Sequence, residues 1–192
     1  KCVPVVVAAG NDTTALSTTT PANCKNVIRV TASTYKGGRA PYSNYGTTSH
    51  PATISAPGGA GVDNTNADDW ILSTWNKGKT GVGTPTYGGM VGTSMAAPHV
   101  AAVAALLKAK DPTLTPARVT ALMVATATPM SACSLTACGA GVVNTDVLVD
   151  NPVTNMAAPV IGGLEKGTGI AMVGATLSTA GSGATGAVYS YQ

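Results

Sequence analysis

Gly92-Thr93-Ser94-Met95-Ala96-Ala97-Pro98-His99-Val100 is the stretch on which the reading of this chain turns, together with the run from Ala101 to Lys110. A serine between small residues stands just before an unbroken Ala/Val/Leu segment, and Val100 to Leu107 shows no polar face at helical spacing. A helix apolar all round belongs inside a domain, and this one is too short for a bilayer, which needs about 20 apolar residues. The expectation is a buried helix from Thr93 to Lys110 with Ser94 at its exposed N-terminal end. Backbone N–H groups there lack partners, and the helix dipole favours negative charge. A hydroxyl that must become an alkoxide gains from such a position, whereas a plain helix cap would use the serine oxygen only as an acceptor.

The bulk properties narrow the class. A length of 192 residues suits one domain plus an appendage. The chain is 44% hydrophobic but only 10% charged, against about 25% charged in an average soluble domain. That balance points to a tightly packed, loop-rich, secreted extracellular protein. The net charge of +3 is spread thinly, with no basic run longer than Lys77-Gly78-Lys79 and no Phe for base stacking, so no nucleic-acid partner is expected. No apolar run is long enough for a membrane span. The sequence starts at Lys1 with neither Met nor a leader pattern, which suggests a processed product or a piece of a longer chain.

Four cysteines fit two disulfides better than a metal site, because no His or further Cys stands at zinc-binding spacing. Cys133 and Cys138 enclose only four residues. Cys2 precedes one expected strand and Cys24 another, so parallel neighbours would bring both thiols to one end of a sheet. The expected pairs are Cys2–Cys24 and Cys133–Cys138, which imply an oxidising compartment. Buried free thiols, or a partner for Cys24 outside this sequence, are the alternatives.

Outward from the helix, Val3 to Ala9, Val27 to Ala32 and Thr53 to Ala56 are short apolar runs of the kind buried on both faces of a parallel sheet. Ala60 to Lys79 is polar, with Asp63, Asp68 and Asp69 and a brief strand at Ile71 to Trp75. An EF-hand from Asp63 fails, because Asp68 and Thr74 stand where Gly and Glu are needed. No cofactor is required by the sequence. A structural calcium ion at an irregular site is one reading of this loop and a plain solvated loop the other. Asp111-Pro112 stops the central helix, and Thr115-Pro116 starts the next, which Thr128-Pro129 ends. Residues 151–159 read as a linker. Residues 160–192 alternate Gly, Ser and Thr with apolar residues, as in the opening strands of Ig-like repeats. About 30 residues bury no sandwich core alone, so this is a partial β-rich segment.

The string around Ser94 resembles the nucleophile motif of the subtilisin-like serine proteases. Ala8-Ala9-Gly10-Asn11, Val27 to Ala32, Tyr42-Ser43-Asn44-Tyr45-Gly46, Ser55-Ala56-Pro57-Gly58 and Gly139 to Asn144 follow that family's order. The resemblance covers residues 1–150 and implies an α/β fold: the C-terminal part of a three-layer catalytic domain with a parallel sheet. It implies that Ser94 attacks the scissile carbonyl of polypeptide substrates to form an acyl-enzyme. The oxyanion would then be held by the Ser94 N–H and the Asn11 side chain. It also makes Ala8, Ala9 and Gly10 one wall of the substrate pocket.

A serine nucleophile needs a histidine base oriented by a carboxylate. In this family both precede the serine, in Asp-(Ser/Thr)-Gly and His-Gly-Thr-His strings, and neither string occurs here. His50 sits in a turn beside Pro51, and His99 lies five residues beyond Ser94 on the same helix, where it reads as structural. The chain therefore holds no catalytic His or Asp. One reading is a secreted endopeptidase completed by a missing N-terminal part, as the same precursor or a companion chain, and inactive without it. The other is a non-catalytic remnant or binding module that keeps the fold. An α/β-hydrolase is excluded, because Ala96 replaces the second Gly of Gly-x-Ser-x-Gly.

Overall fold

The computed structural model describes residues 3–60 and 69–146, together with the backbone of 177–179 and 182–184. Three strands, Val6–Ala8 (β1), Ile28–Ser33 (β2) and Ile54–Pro57 (β3), form a parallel sheet in the order β1-β2-β3. Val6 pairs with Ile28, and Val30 with Ile54. β-Branched residues favour the pleated conformation, and glycines at 10, 58 and 59 follow the carboxyl ends of β1 and β3. β1 is shorter than its apolar run: Val3 and Val5 are exposed, at 73% and 54%.

The two-residue period of the strands sends Val6, Ile28, Val30, Ala32, Ile54 and Ala56 to one face. These meet the helices α1 (Thr93–Lys110) and α2 (Pro116–Thr126) in the principal core. α1 contributes Ala96, Val100, Val103, Ala104 and Leu107, and α2 contributes Val119, Leu122 and Met123. Each fully buried Val or Leu is worth about 1.5–3 kcal/mol. α2 starts as its sequence expects, with Thr115 Oγ1 accepting from the Arg118 N–H at 3.2 Å and Pro116 in the first turn. Lys108 Nζ ties the intervening turn by donating to the Pro112 and Leu114 carbonyls at 2.6 and 2.8 Å.

The opposite face carries a smaller cluster of Val7, Ala9, Leu16, Ala22 and Ala52. Beside it, two polar strand residues pair with each other, while the buried Ser33 hydroxyl at the end of β2 has no partner. Thr31 Oγ1 and Ser55 Oγ lie 2.6 Å apart, and Ser55 donates to the Cys138 carbonyl at 2.8 Å. Arg29 donates from Nε to Ala22 O at 2.6 Å and from Nη2 to Cys24 O at 2.8 Å, pinning the loop before β2. The short helix α3 (Leu135–Cys138) closes this side. Gly141 to Val143 runs beside β3, with the Ser55 N–H donating to Gly141 O and the Val143 N–H to Ser55 O. A parallel sheet with layers on both faces is the α/β class expected.

Three features differ from expectation. α1 buries one stripe only: Ala101, Ala102 and Ala105 are exposed and Leu106 is 52% exposed. The sheet and α2 meet one side of the helix, and no described element covers the other. The brief strand at Ile71 is half of an antiparallel hairpin, β4 (Ile71–Asn76) with β5 (Pro85–Met90). Gly88 and Gly89 disguise β5, since glycine weakens strand signals. Here Gly88 packs in ordinary contact against Trp75, and the space a side chain would need at Gly89 is taken by Trp70. Asp69 is buried and accepts the Tyr35 N–H at 3.0 Å, while Asp63 and Asp68 lie outside the described residues.

Cys133 and Cys138 form a disulfide. Cys24 is exposed, and its expected partner Cys2 lies outside the described residues, as do the linker at 151–159, the stretch through Leu148 and the final strand pattern at 186–192. Of the tail, Leu177–Thr179 (β6) and Ser182–Ala184 (β7) pair antiparallel. Among the described residues no helix is long and apolar enough to cross a membrane.

The exposed stripe of α1 and the exposed Val3 and Val5 should make residues 1–192, expressed alone, self-associate. Apolar-dye binding and light scattering are the measurements. A dye-silent monomer with one cooperative melt would contradict this expectation.

Candidate active site

The site lies where the carboxyl ends of the strands meet the start of α1. Gly10 and Asn11 follow β1. Gly58 and Gly59 follow β3, and the Gly92 N–H donates to Gly58 O at 2.9 Å. The Gly58 and Gly59 N–H groups in turn donate to Ser33 O at the end of β2, at 3.0 and 3.2 Å. Open α/β sheets place their sites at this edge.

α1 begins at Thr93 with Gly92 as its cap residue, which supplies no side-chain bond. Ser94 is therefore not the cap. It lies in the first turn, exposed, while Thr93 on one side is wholly buried. The capping acceptor comes from another strand: Asn11 Oδ1 accepts from the Thr93 N–H and from Thr93 Oγ1, both at 2.9 Å. Thr93 Oγ1 also accepts the Gly10 N–H at 3.0 Å. With two donors on Oδ1, the amide orientation of Asn11 is fixed by its partners, and Nδ2 is left to face elsewhere.

Gly92 shows where. Its φ of +150° suits glycine, and a Cβ placed there would lie 3.4 Å from Asn11 Nδ2 and 3.7 Å from the Ser94 backbone nitrogen. Two N–H-bearing nitrogens thus border one small space beside Ser94, kept open because residue 92 has no side chain. Met95 Sδ borders the same space at 3.7 Å. Gly10 is required for a second reason: at φ +99°, a Cβ would fall 2.4 Å from Asn44 Nδ2. Of the three wall residues, Ala8 and Gly10 keep some exposed surface, whereas Ala9 is wholly buried and donates its N–H to Val30 O at 2.9 Å.

Neither histidine joins this group. His99 Nδ1 lies 2.8 Å from Met95 O, an acceptor only, so the ring spends its Nδ1 proton on its own helix. Five residues turn it about 140° around the axis from Ser94. His50 Nδ1 meets Ser49 Oγ at 3.1 Å in the turn closed by Thr47. Among the described residues, no three His, Cys, Asp or Glu side chains gather as a metal site.

Two supporting residues escaped the sequence reading. In the sequence Thr93 is only a small motif residue, and its hydrogen bonds to both ends of Gly10-Asn11 reveal its part. Tyr42 is a motif member to which the sequence assigns no role. Its hydroxyl donates to Gly58 O at 2.6 Å and approaches Gly59 O at 3.0 Å, under the Gly92 turn. Burial pushes the Tyr42 hydroxyl up from 10.0 to about 12, with the Asp69 charge adding and the Gly92 N–H opposing.

A family model described as the subtilase family matches residues 2–163. An extracellular protease of Xanthomonas campestris pv. campestris is 47% identical over 146 residues, which is 76% of this chain and 23% of that protein. An extracellular basic protease of Dichelobacter nodosus is 40% identical over 150 residues, again 76% and 23%. Among solved structures, a protease from Pseudoalteromonas arctica superposes with a TM-score of 0.67 at 41% identity, covering 76% of this chain and 42% of that one. A cold-adapted subtilisin-like serine proteinase gives 0.56 at 31% identity, covering 74% and 44%. The chain thus spans under a quarter of the length of these two curated relatives.

Two tests follow from the geometry. Thr93→Val takes the acceptor from the half-buried Gly10 N–H and should cost about 0.5–1.5 kcal/mol of stability. Thr93→Ser should restore it, and equal melting midpoints for all three proteins would refute the bond's importance. The Tyr42 phenol stays protonated in the folded state above pH 10.0, where an unfolded tyrosine ionises. Its stabilising contribution is therefore complete below pH 10.0 and lost as pH rises towards 12. Denaturant titrations across that window should show stability falling, and Tyr42→Phe should flatten the slope. With a family model matching residues 2–163 and relatives 47% and 40% identical across 76% of its length, this chain belongs to the subtilase family.

Proposed function

We propose that this chain is the C-terminal part of the catalytic domain of a secreted serine endopeptidase. Ser94 Oγ attacks the scissile carbonyl of a polypeptide, and the negative oxygen of the tetrahedral intermediate enters the space beside Gly92. Asn11 Nδ2 and the Ser94 N–H donate to it there. The observation that carries this reading is the convergence of those two nitrogens, at 3.4 and 3.7 Å, on one point next to an exposed serine. Donors fixed in advance stabilise developing charge without reorganising, and that is the main source of such catalysis. Ala8 and Gly10 border the substrate on the same side.

The base and its carboxylate come from outside this sequence. The exposed stripe of α1 that starts at Ser94 and continues through Pro98, Ala101, Ala102 and Ala105 supports this. It is apolar, repeats at helical spacing, and suits another packed element that would bring a histidine over the hydroxyl. That element belongs to the N-terminal part of the same precursor or to a companion chain. The Cys133–Cys138 disulfide and the extracellular relatives support secretion.

A fluorophosphonate probe reports the activated serine directly. The full-length protein should be labelled at Ser94, with labelling lost in Ser94→Ala, and residues 1–192 alone should react slowly if at all. Asn11→Ala should lower kcat of the full-length enzyme by about 100- to 1,000-fold, the loss known for the equivalent kind of donor in subtilisin. A full-length protein that never labels would make the chain part of a non-catalytic binding module. Rapid labelling of residues 1–192 alone would reveal a base within them.

A further inference from the structure

We infer that Asn44 is a positioning residue for the oxyanion turn, acting on the reaction through Asn11 without touching substrate. The inference rests on the reading of Asn11 as an oxyanion donor. Asn44 is wholly buried at 0% exposure. Its amide is saturated, with two donors and two acceptor positions all used. Nδ2 donates to Ala9 O and to Thr19 Oγ1, each at 3.0 Å. Oδ1 accepts the Asp12 and Thr14 N–H groups, each at 2.9 Å. Its backbone N–H donates to Gly10 O at 2.9 Å.

These partners are not scattered. Ala9, Gly10 and Asp12 bracket Asn11 on both sides, so one side chain and its own backbone define the turn from which the Asn11 amide projects. The packing is close enough that Gly10 admits no side chain against Asn44 Nδ2. Asn44 is itself held to the sheet. The Ala32 N–H donates to Ser43 Oγ at 3.0 Å, and Ser43 Oγ donates to Asn44 O at 2.9 Å. A rigid path therefore runs from β2 through Ser43 and Asn44 to the backbone of Asn11, while Thr93 holds the other end of its side chain. A displacement of about 1 Å in a catalytic group can cost 100-fold, so a turn with so many fixed points has a kinetic consequence as well as a structural one.

Asn44→Asp separates these roles in the full-length enzyme. The aspartate keeps the acceptor for Asp12 and Thr14 but sets a carboxylate oxygen against Ala9 O. It should lower kcat by about 10- to 100-fold, with KM changed less than about twofold, since the interaction lost belongs to the transition state. In an Asn11→Ala background the same substitution should lower kcat by less than about twofold, because the group it positions is gone. Thr19→Val removes one Asn44 partner from a half-buried site, and decides the matter if Asn44→Asp does not fold. It should show a several-fold loss in kcat that also disappears in the Asn11→Ala background. The same fold-loss in both backgrounds, or a loss confined to KM, would overturn the role of Asn44 while leaving that of Asn11 intact. If Asn11→Ala itself keeps full kcat, the oxyanion reading fails and the role of Asn44 with it.

Discussion

One hydrogen bond joins the two halves of this site, from the Thr93 N–H to Asn11 Oδ1 across 82 positions of sequence. It satisfies a helix N-terminal donor that has no intrahelical partner, and it does so with a residue from the end of a strand. The helix start and the strand end are therefore fixed to each other before any substrate arrives. The orientation of the Asn11 amide, the opening beside Gly92 and the exposure of Ser94 all depend on that attachment. Thr93 Oγ1 doubles it by bridging the Gly10 N–H and the same carboxamide oxygen.

The small residues of this chain serve the same end. Ala96, Val100 and Ala104 let α1 sit close on the strands, and glycines at 10, 58 and 92 let separate backbones approach where a Cβ would collide or block. The scarcity of charge fits this arrangement, because Thr31, Ser43 and Ser55 near the sheet are paired with each other or with backbone groups, and of the buried polar side chains described only the Ser33 hydroxyl has no partner. Arg29 is the instructive case. Its half-buried guanidinium faces two backbone carbonyls of the preceding loop, so its charge is met by oriented dipoles in place of a carboxylate.

Much of the molecule was legible in order along the chain. The helix limits Thr93 and Lys110, the Thr115 cap and the three parallel strands follow from apolar runs, turn residues and caps, all local signals. The Cys133–Cys138 bridge was legible too, since four intervening residues leave little choice of geometry. Other features resisted. β5 was hidden by Gly88 and Gly89, which pack against Trp75 of the partner strand and Trp70 just before it. The half-exposed state of α1 was invisible because Val100 to Leu107 has the same composition on every side, and only the placement of the sheet distinguishes them.

The sequence by itself carried the family resemblance: a serine in a specific string, an Asn-bearing turn, and two histidines that stand in neither of that family's catalytic strings. Residue types and spacing carry that much, because chemistry depends on which groups are present. The tertiary structure decided which way those groups face. It assigned the Asn11 oxygen to Thr93 and left its nitrogen bordering the same space beside Gly92 as the Ser94 nitrogen. It spent the His99 proton on Met95 O and gave Tyr42, Asn44 and Thr93 their supporting parts. The parts of Asn44 and Thr93 arise from hydrogen bonds between residues up to 83 positions apart, and such bonds have no trace in local pattern.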